Sequence, residues 1–121
     1  MPIKRLISDA DKSLAISLAE PKARRKVAKA AGIPSGAIPV LAGLVYRYRI
    51  KQNCRPRTLY GAGIASEQLV RAYVRRLIQL ELVCLERWHG RRFLHPTLKG
   101  LAVATDYARE LRAGSQAFTQ P

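Results

Sequence analysis

Residues 66–97 have the sequence SEQLVRAYVRRLIQLELVCLERWHGRRFLHPT. Ser66 is a suitable N-cap for a helix. Apolar side chains then recur at helical spacing at Val70, Tyr73, Val74, Leu77 and Leu80. Residues 82–88 contain Val, Cys, Leu and Trp and predict a strand. His89-Gly90 indicates a turn, from which residues 91–95 return as a second strand. This stretch therefore predicts a helix followed by an antiparallel hairpin.

The segments on either side predict further helices. Upstream, helical spacing predicts a core helix that ends near Asn53 and contains Ile38, Leu41, Leu44, Val45 and Tyr48. Residues 57–65 include Gly61 and Gly63, so any helix there is expected to be short and weak. Downstream, Thr97 can cap a last helix that stops at Gly114. The side chains available for its packing are Leu98, Leu101, Ala102, Ala108 and Leu111.

The first 32 residues are basic and rich in small side chains. We predict a short helix from Ser8 or Asp9 to about Ala19, followed by a second helix from Pro21 to Ala31. Gly32 is a suitable stop for that second helix. Because the second helix has little apolar surface to bury, we expect an arm here rather than a core element.

The order helix, short helix, helix, strand, turn, strand, helix is that of a winged helix-turn-helix. We therefore predict a mainly α fold with a small β-hairpin (α+β). A basic helical N-terminal arm would comprise residues 1–32, the winged helix-turn-helix domain residues 33–114, and a flexible tail residues 115–121. A helix fits the major groove of B-DNA, and a basic hairpin can reach an adjacent groove or phosphate.

The helix at 66–80 has the composition expected of a recognition helix. Opposite its apolar stripe lie polar and small side chains, with Arg71 on the flank: Gln68, Ala72, Arg75, Arg76 and Gln79. Gln and Arg suit adenine and guanine edges, and small Ala72 would let the helix seat deeply. The predicted wing at 89–92 adds His89, Arg91 and Arg92, although a solvated arginine face and an ordinary polar hairpin tip are the simpler alternatives.

Charge points to a polyanionic partner. The 121 residues contain 22 Lys+Arg and 8 Asp+Glu, a net charge of +14. No carboxylate lies between Glu20 and Glu67, and the cations there have no local partner. They are Lys22, Arg24, Arg25, Lys26, Lys29, Arg47, Arg49, Lys51, Arg55 and Arg57. A nucleic acid would relieve their repulsion and release its counterions. We take Arg24, Arg25, Arg55 and Arg57 as further contacts. Solubility needs far less charge than this.

Residues 91–100, with the sequence RRFLHPTLKG, resemble the wing exit of MarR-type regulators, in which Thr-x-Lys-Gly opens the next helix. Val70-x3-Val74-x2-Leu77-x4-Leu82-Val83 is similar to the recognition helix and following strand of the same families. Residues 39–44 are similar to their core helix before the helix-turn-helix. The resemblance covers about residues 37–113. It implies a DNA-binding transcriptional regulator, usually dimeric.

The sequence departs from that pattern in three places. Glu81 stands where the family usually has Gly before the Leu-Val pair, so we expect another geometry at that helix end. The glycine-rich segment 59–65 replaces the usual compact second helix. The net charge also exceeds that of a typical regulator.

Two other nucleic-acid binders remain open. One is an RNA-bound structural protein, such as a winged-helix ribosomal protein, because Tyr46, Tyr48 and Tyr60 lie among arginines and could stack on bases. The simpler interpretation is that Tyr48 belongs to the core and the other two are half-buried. The second is a sequence-neutral nucleoid or architectural DNA binder.

Enzymes, cofactors and membranes are not indicated. His89 and His95 have no carboxylate or nucleophile at a suitable spacing. Cys54, Cys84, His89 and His95 lack the paired spacing of zinc ligands, so we expect no metal. We find no phosphate-binding glycine motif, and we expect neither a membrane span nor a secretory signal. We expect a cytoplasmic protein with reduced cysteines. We also expect a homodimer formed through the terminal helices, using Leu98, Leu101, Tyr107 and Leu111.

Overall fold

A computed structural model of the chain describes residues 9–119. The helices and strands are α1 (Asp9–Ala31), α2 (Ala37–Arg49), α3 (Pro56–Tyr60), α4 (Glu67–Gln79), β1 (Val83–Trp88), β2 (Arg91–Pro96) and α5 (Leu98–Thr119). The predicted class, mainly α with one hairpin, is confirmed. No helix in the described part of the chain is long and apolar enough to cross a membrane.

The hairpin of β1 and β2 is antiparallel, with a register that runs from Val83↔Pro96 to Trp88↔Arg91. Its two-residue turn has positive φ at both positions, 50° at His89 and 73° at Gly90. Such a turn matches the right-handed twist of the strands. The Leu94 amide also donates to the Cys54 carbonyl at 2.7 Å, which ties the loop before α3 to the hairpin.

The core lies between α2, α4 and the hairpin. The predicted stripe of α4 is confirmed at Val70, Val74 and Leu77, which are buried, while Tyr73 and Leu80 are half-buried. From the other elements, the core receives Ile38, Leu41, Leu44, Leu59, Leu82 and Leu94. Because these side chains come from every element around α4, that helix is held with one face inward and the other toward solvent.

Both ends of α4 are closed by specific hydrogen bonds. Ser66 Oγ accepts from the Leu69 amide at 3.3 Å, as expected for an N-cap. At the other end the Leu82 amide donates to the Leu77 carbonyl at 2.9 Å, and Glu81 has a φ of 61°. The expectation that Glu81 requires another geometry is wrong. The non-glycine residue adopts the left-handed turn because the surrounding hydrogen bonds hold it there.

The Thr97-x-Lys-Gly segment attaches α5 to the end of α4. Thr97 Oγ1 donates to the Glu81 carbonyl at 2.6 Å and accepts from the Gly100 amide at 3.1 Å. Lys99 Nζ lies 3.4 Å from the Leu80 carbonyl oxygen. A Cβ at Gly100 would overlap the Leu82 carbonyl oxygen, so only glycine allows this close approach.

The N-terminal region differs from its prediction, because a single helix replaces the two predicted ones and Pro21 lies inside it. A proline interrupts one backbone hydrogen bond and favours a break. Burial offsets this cost, since small side chains on both sides of Pro21 lie along one buried face. They are Ala15, Ala19, Ala23, Val27 and Ala28. The expectation that this segment has little to bury is therefore wrong. The predicted cap at Ser8 lies outside the described residues.

Helix α5 also differs from its prediction, because it passes through Gly114 and ends at Thr119. Gly114 does not stop the helix. A Cβ there would lie 3.0 Å from Ala19 Cβ, so the glycine permits close packing of α5 on α1. Leu98, expected to pack, is 86 % exposed, and Ala102 and Ala108 are exposed as well.

Helix α2 ends at Arg49, earlier than predicted, in a turn where Lys51 has a φ of 60°. Tyr48, in the last turn of this helix, is not a core residue, and 47 % of it is exposed. Tyr46, expected to be half-buried, is 64 % exposed, whereas Tyr60 is half-buried as expected.

Candidate nucleic-acid interface

The exposed face of α4 carries all six residues predicted for it. Gln68, Ala72, Arg75 and Gln79 fall within about 60° of one another around the helix axis, at 100° per residue. Arg71 and Arg76 flank this sector, and all six side chains are exposed. The face is thus a row of amide and guanidinium donors with a small residue at its centre. Amide and guanidinium groups are the donors that suit adenine and guanine edges.

Five arginines from three segments line one cleft of ≈ 240 Å³ beside the first turn of α4. Arg55 and Arg57 come from the start of α3, Arg71 from α4, and Arg91 and Arg92 from the wing. All five were predicted as nucleic-acid contacts from separate stretches of sequence. The structure brings them together, which produces a concentrated positive charge between α4 and the hairpin.

The local backbone explains how Arg55 and Arg57 reach the cleft. Arg55 is the N-cap residue of α3 in an extended conformation, and Pro56 starts the helix with its fixed φ. Leu59, the next apolar residue, is completely buried and anchors this short helix on the core. The arginines on either side of Pro56 consequently remain exposed.

Arg71 is held by two neighbours, and this arrangement was not predicted. Its Nη2 lies 2.6 Å from Glu67 Oε1, and its Cζ lies 4.9 Å from the centroid of the Tyr60 ring. The spacing of Glu67 and Arg71, four residues apart on a helix, is a signal that could have indicated the ion pair. Glu67 is the one carboxylate that lines the cleft. Because its charge is paired with that of Arg71, it does little to repel an anion.

The end of β1, next to the wing at 89–92, carries two exposed side chains that were not predicted as contacts. Arg87 lies directly across from Arg92, and Trp88 lies across from Arg91. His89, which was selected, is at the turn, and its ring meets that of Trp88 edge-on. The one carboxylate of the hairpin, Glu86, lies 3.4 Å from His95 Nε2. The wing tip is therefore more basic and more aromatic than predicted.

Arg24 and Arg25 are not among the residues that line this cleft. Arg24 is half-buried, and its Nε lies 3.4 Å from Glu20 Oε1. The same Glu20 oxygen accepts from the Tyr107 hydroxyl at 3.2 Å, so Arg24 belongs to a polar cluster between α1 and α5. Arg25 is exposed on α1.

The cysteines and histidines do not form a metal site in the described part of the chain. No three His, Cys, Asp or Glu side chains there are close enough together to hold a metal ion. Cys84 lies opposite His95 on the hairpin, but His89 is at the far end of it. Cys54 is buried, and burial raises the pKa of its thiol, with Arg47 opposing part of the effect. A raised pKa leaves less of the reactive thiolate.

Comparison with known proteins supports the fold. No protein-family model matches the sequence, and no curated protein matches it. Among solved structures, the chain is similar to a selenomethionine derivative of a MepR point mutant from a multidrug-resistant S. aureus clinical isolate. That likeness has 12 % identity and a TM-score of 0.66, and it covers 95 % of this chain and 84 % of that one.

The oxidized form of MarR from E. coli is similar to the same extent. Its identity is 13 % and its TM-score 0.65, and the likeness covers 95 % of this chain and 82 % of that one. At such low identity the likeness concerns architecture alone. Together with the hairpin, the helix order and the Thr97-x-Lys-Gly attachment, it shows that this chain has the MarR-like winged-helix fold.

Proposed function

We propose that this protein binds double-stranded DNA and acts as a transcriptional regulator. Helix α4 would enter the major groove and present its donors to base edges, while the wing at 89–92 would bind phosphate or a neighbouring groove. The MarR-like fold supports this proposal, as does the uncompensated charge of +14. Under this proposal the protein has no enzymatic activity, needs no cofactor and acts in the cytoplasm.

One observation carries the proposal, namely the convergence of five arginines on the cleft beside α4. Among the described residues, Arg55, Arg57, Arg91 and Arg92 form no ion pair with a carboxylate. Like charges held this close repel one another, so the arrangement costs folding stability in the free protein. A phosphate backbone along the cleft would reverse the sign of that interaction and release condensed counterions.

The test is the binding of a fluorescent duplex at several salt concentrations, followed by anisotropy. Neutralising roughly six or more phosphates predicts a log–log slope of affinity against salt of about −5 or steeper. A slope near zero would contradict electrostatic binding. A second measurement, competition between a selected site and random duplex, distinguishes a regulator from a sequence-neutral architectural protein.

An RNA-bound structural protein is the second candidate, and the exposure of two tyrosines favours it. Tyr46 and Tyr48 are 64 % and 47 % exposed and flank Arg47 on the last turn of α2. Exposed rings beside cations suit stacking on unpaired bases. Structured RNA that displaces the duplex at equal concentration, with loss of that advantage in Tyr46→Ala, would favour this candidate over the regulator.

A further inference from the structure

The strand that leads into the wing ends in an exposed tryptophan that contributes little to the packing of the core. Trp88 is the last residue of β1 and is 68 % exposed, although tryptophan is usually highly buried. It is the single tryptophan of the chain. Replacing it would therefore remove almost no core packing, and its position calls for an explanation outside the folded core.

The register of the hairpin determines where the indole lies. Directly opposed residues share a face, and faces alternate along a strand. Val83, Leu94 and Pro96 are on the buried face, so Trp88 is on the opposite face together with Glu86 and Phe93. The ring of His89 meets it edge-on, with centroids 4.1 Å apart and planes at 75°. This contact orients the indole at the tip without covering it.

The neighbours of Trp88 select the chemistry of its partner. Arg91 is paired across from it and shares its face, whereas Arg87 and its own partner Arg92 lie beside these two residues on the other face of the hairpin. Glu86, the nearest carboxylate in sequence, is placed against His95. A partner at this tip must carry several negative charges and also offer apolar or aromatic surface. Nucleic acid has both, because its phosphates form a regular array of charges beside the apolar deoxyribose walls of a groove, which an acidic protein surface lacks.

The minor groove of duplex DNA fits these requirements in detail. It is about 6 Å wide, and its A·T pairs present only acceptors, adenine N3 and thymine O2. The indole Nε1–H is a donor and never an acceptor. A G·C pair adds the guanine N2 amine, a second donor that the indole cannot satisfy. An indole in this groove therefore favours A·T pairs over G·C pairs.

We propose that Trp88 is a specificity-determining residue that enters the minor groove and donates its indole N–H to an A·T pair, beside a phosphate held by Arg91. This inference depends on the proposed DNA binding. It adds a contact whose strength does not depend on counterion release, unlike those of the neighbouring arginines.

The test uses three duplexes of equal length, containing A·T, G·C or inosine·cytosine pairs in the segment under the wing. Inosine·cytosine keeps the major-groove pattern of G·C but lacks the N2 amine in the minor groove. Wild-type protein is expected to bind inosine·cytosine about fivefold more tightly than G·C, the value of one net hydrogen bond. The emission of Trp88, the single tryptophan, should change on binding the A·T and inosine·cytosine duplexes.

Two variants separate the N–H from the ring. Trp88→Ala should lose the fivefold preference and the affinity that the ring contributes, yet keep the salt slope. Trp88→Phe should lose the preference while retaining most of that affinity. Both should unfold at nearly the wild-type temperature, because the side chain is exposed.

The two proposals can fail separately. If anisotropy shows salt-dependent duplex binding while Trp88→Ala matches wild type on all three duplexes and the emission is constant, the tryptophan proposal is overturned and DNA binding stands. If the emission changes on structured RNA and on none of the duplexes, the minor-groove contact is also overturned. If no duplex is bound at all, both proposals fall.

Discussion

At the scale of single residues, three helix ends are closed by the same backbone turn around different side chains. The residue with positive φ is Gly32 after α1, Lys51 after α2 and Glu81 after α4. In each case the following amide donates to a carbonyl five residues back, at 3.0, 2.9 and 2.9 Å. Glycine adopts this conformation freely, whereas a side chain there costs on the order of 1–2 kcal/mol. Two of the three ends therefore store strain.

The strain at Glu81 predicts a stabilising substitution. Glu81→Gly should raise the free energy of unfolding by about 1 kcal/mol, which corresponds to a melting temperature higher by roughly 3–5 °C in a domain of this size. Thermal unfolding followed by circular dichroism measures it. Glu81→Ala is the matched control, because it removes the same carboxylate and keeps a Cβ. Equal stabilisation by both variants would show that charge, rather than backbone strain, is responsible.

The arginines of α4 and of the wing should respond differently to substitution. Arg75→Ala or Arg76→Ala should cost on the order of 1–3 kcal/mol on a preferred site and relax the preference at one base position. Arg91→Ala or Arg92→Ala should weaken binding to all duplexes similarly and make the salt slope shallower by about one. Competition between a selected site and random duplex measures both effects. Identical behaviour of all four variants would count against the regulator.

At the scale of elements, α1 and α5 form a pair joined by small side chains and by polar bridges. Gly114 faces Ala19, and Lys26 Nζ lies 3.0 Å from Glu110 Oε1. Burial raises the pKa of Tyr107 to about 12, and Glu20 adds to the shift as a nearby charge and as the acceptor of the hydroxyl. The folded state thus stabilises the neutral form of the Tyr107 side chain relative to its ionised form. Unfolding exposes the phenol to water and removes this preference.

This pairing predicts a loss of stability in alkali. Because the pKa of Tyr107 is higher in the folded state than its ordinary value of 10.0, its contribution is complete below pH 10 and is lost as the pH rises toward 12. Tyr107→Phe should be about 0.5–1.5 kcal/mol less stable at pH 7, through the lost hydrogen bond, and should lose less stability between pH 10 and 12. Urea unfolding at pH 7, 10 and 11 tests this. Parallel pH profiles for the two proteins would contradict it.

At the scale of the whole molecule, apolar surface remains exposed on the paired terminal helices. Leu14 and Leu18, one turn apart on α1, are 59 % and 54 % exposed, and Leu98 of α5 is 86 % exposed. Of the other residues predicted for a dimer interface, Leu101 and Tyr107 pack against the core of their own chain. The surface that a second copy could cover thus differs in part from the predicted one.

A homodimer is the expected assembly, because twofold pairing doubles the contacts on a palindromic site. Light scattering should give about twice the chain mass of 13.5 kDa, and Leu18→Glu should lower it toward the monomer by placing charge in the interface. Retained thermal stability would show that the variant still folds. A wild-type monomer, both free and bound to DNA, would reject the dimer.

The sequence by itself determined the elements that depend on near neighbours. The stripe of α4, the Ser66 cap, the His89-Gly90 turn and the Thr97 cap are each encoded within a few residues, because helix periodicity and turn chemistry act over that distance. The donors on the outer face of α4 followed from the same periodicity. Charge alone indicated a polyanionic partner, because the excess of cations does not depend on the fold.

Tertiary contacts decided the rest. Helix α1 continues through Pro21 because α5 offers a surface on which its small residues are buried, and α5 continues through Gly114 for the same contact. Glu81 adopts a left-handed turn that local preference disfavours, since Thr97 and the α4 carbonyls hold it there. The arginine cleft joins residues from about 55 to 92 in the chain, and no local pattern indicates that they meet. Such features depend on free energy gained between segments distant in sequence, which local propensities do not contain.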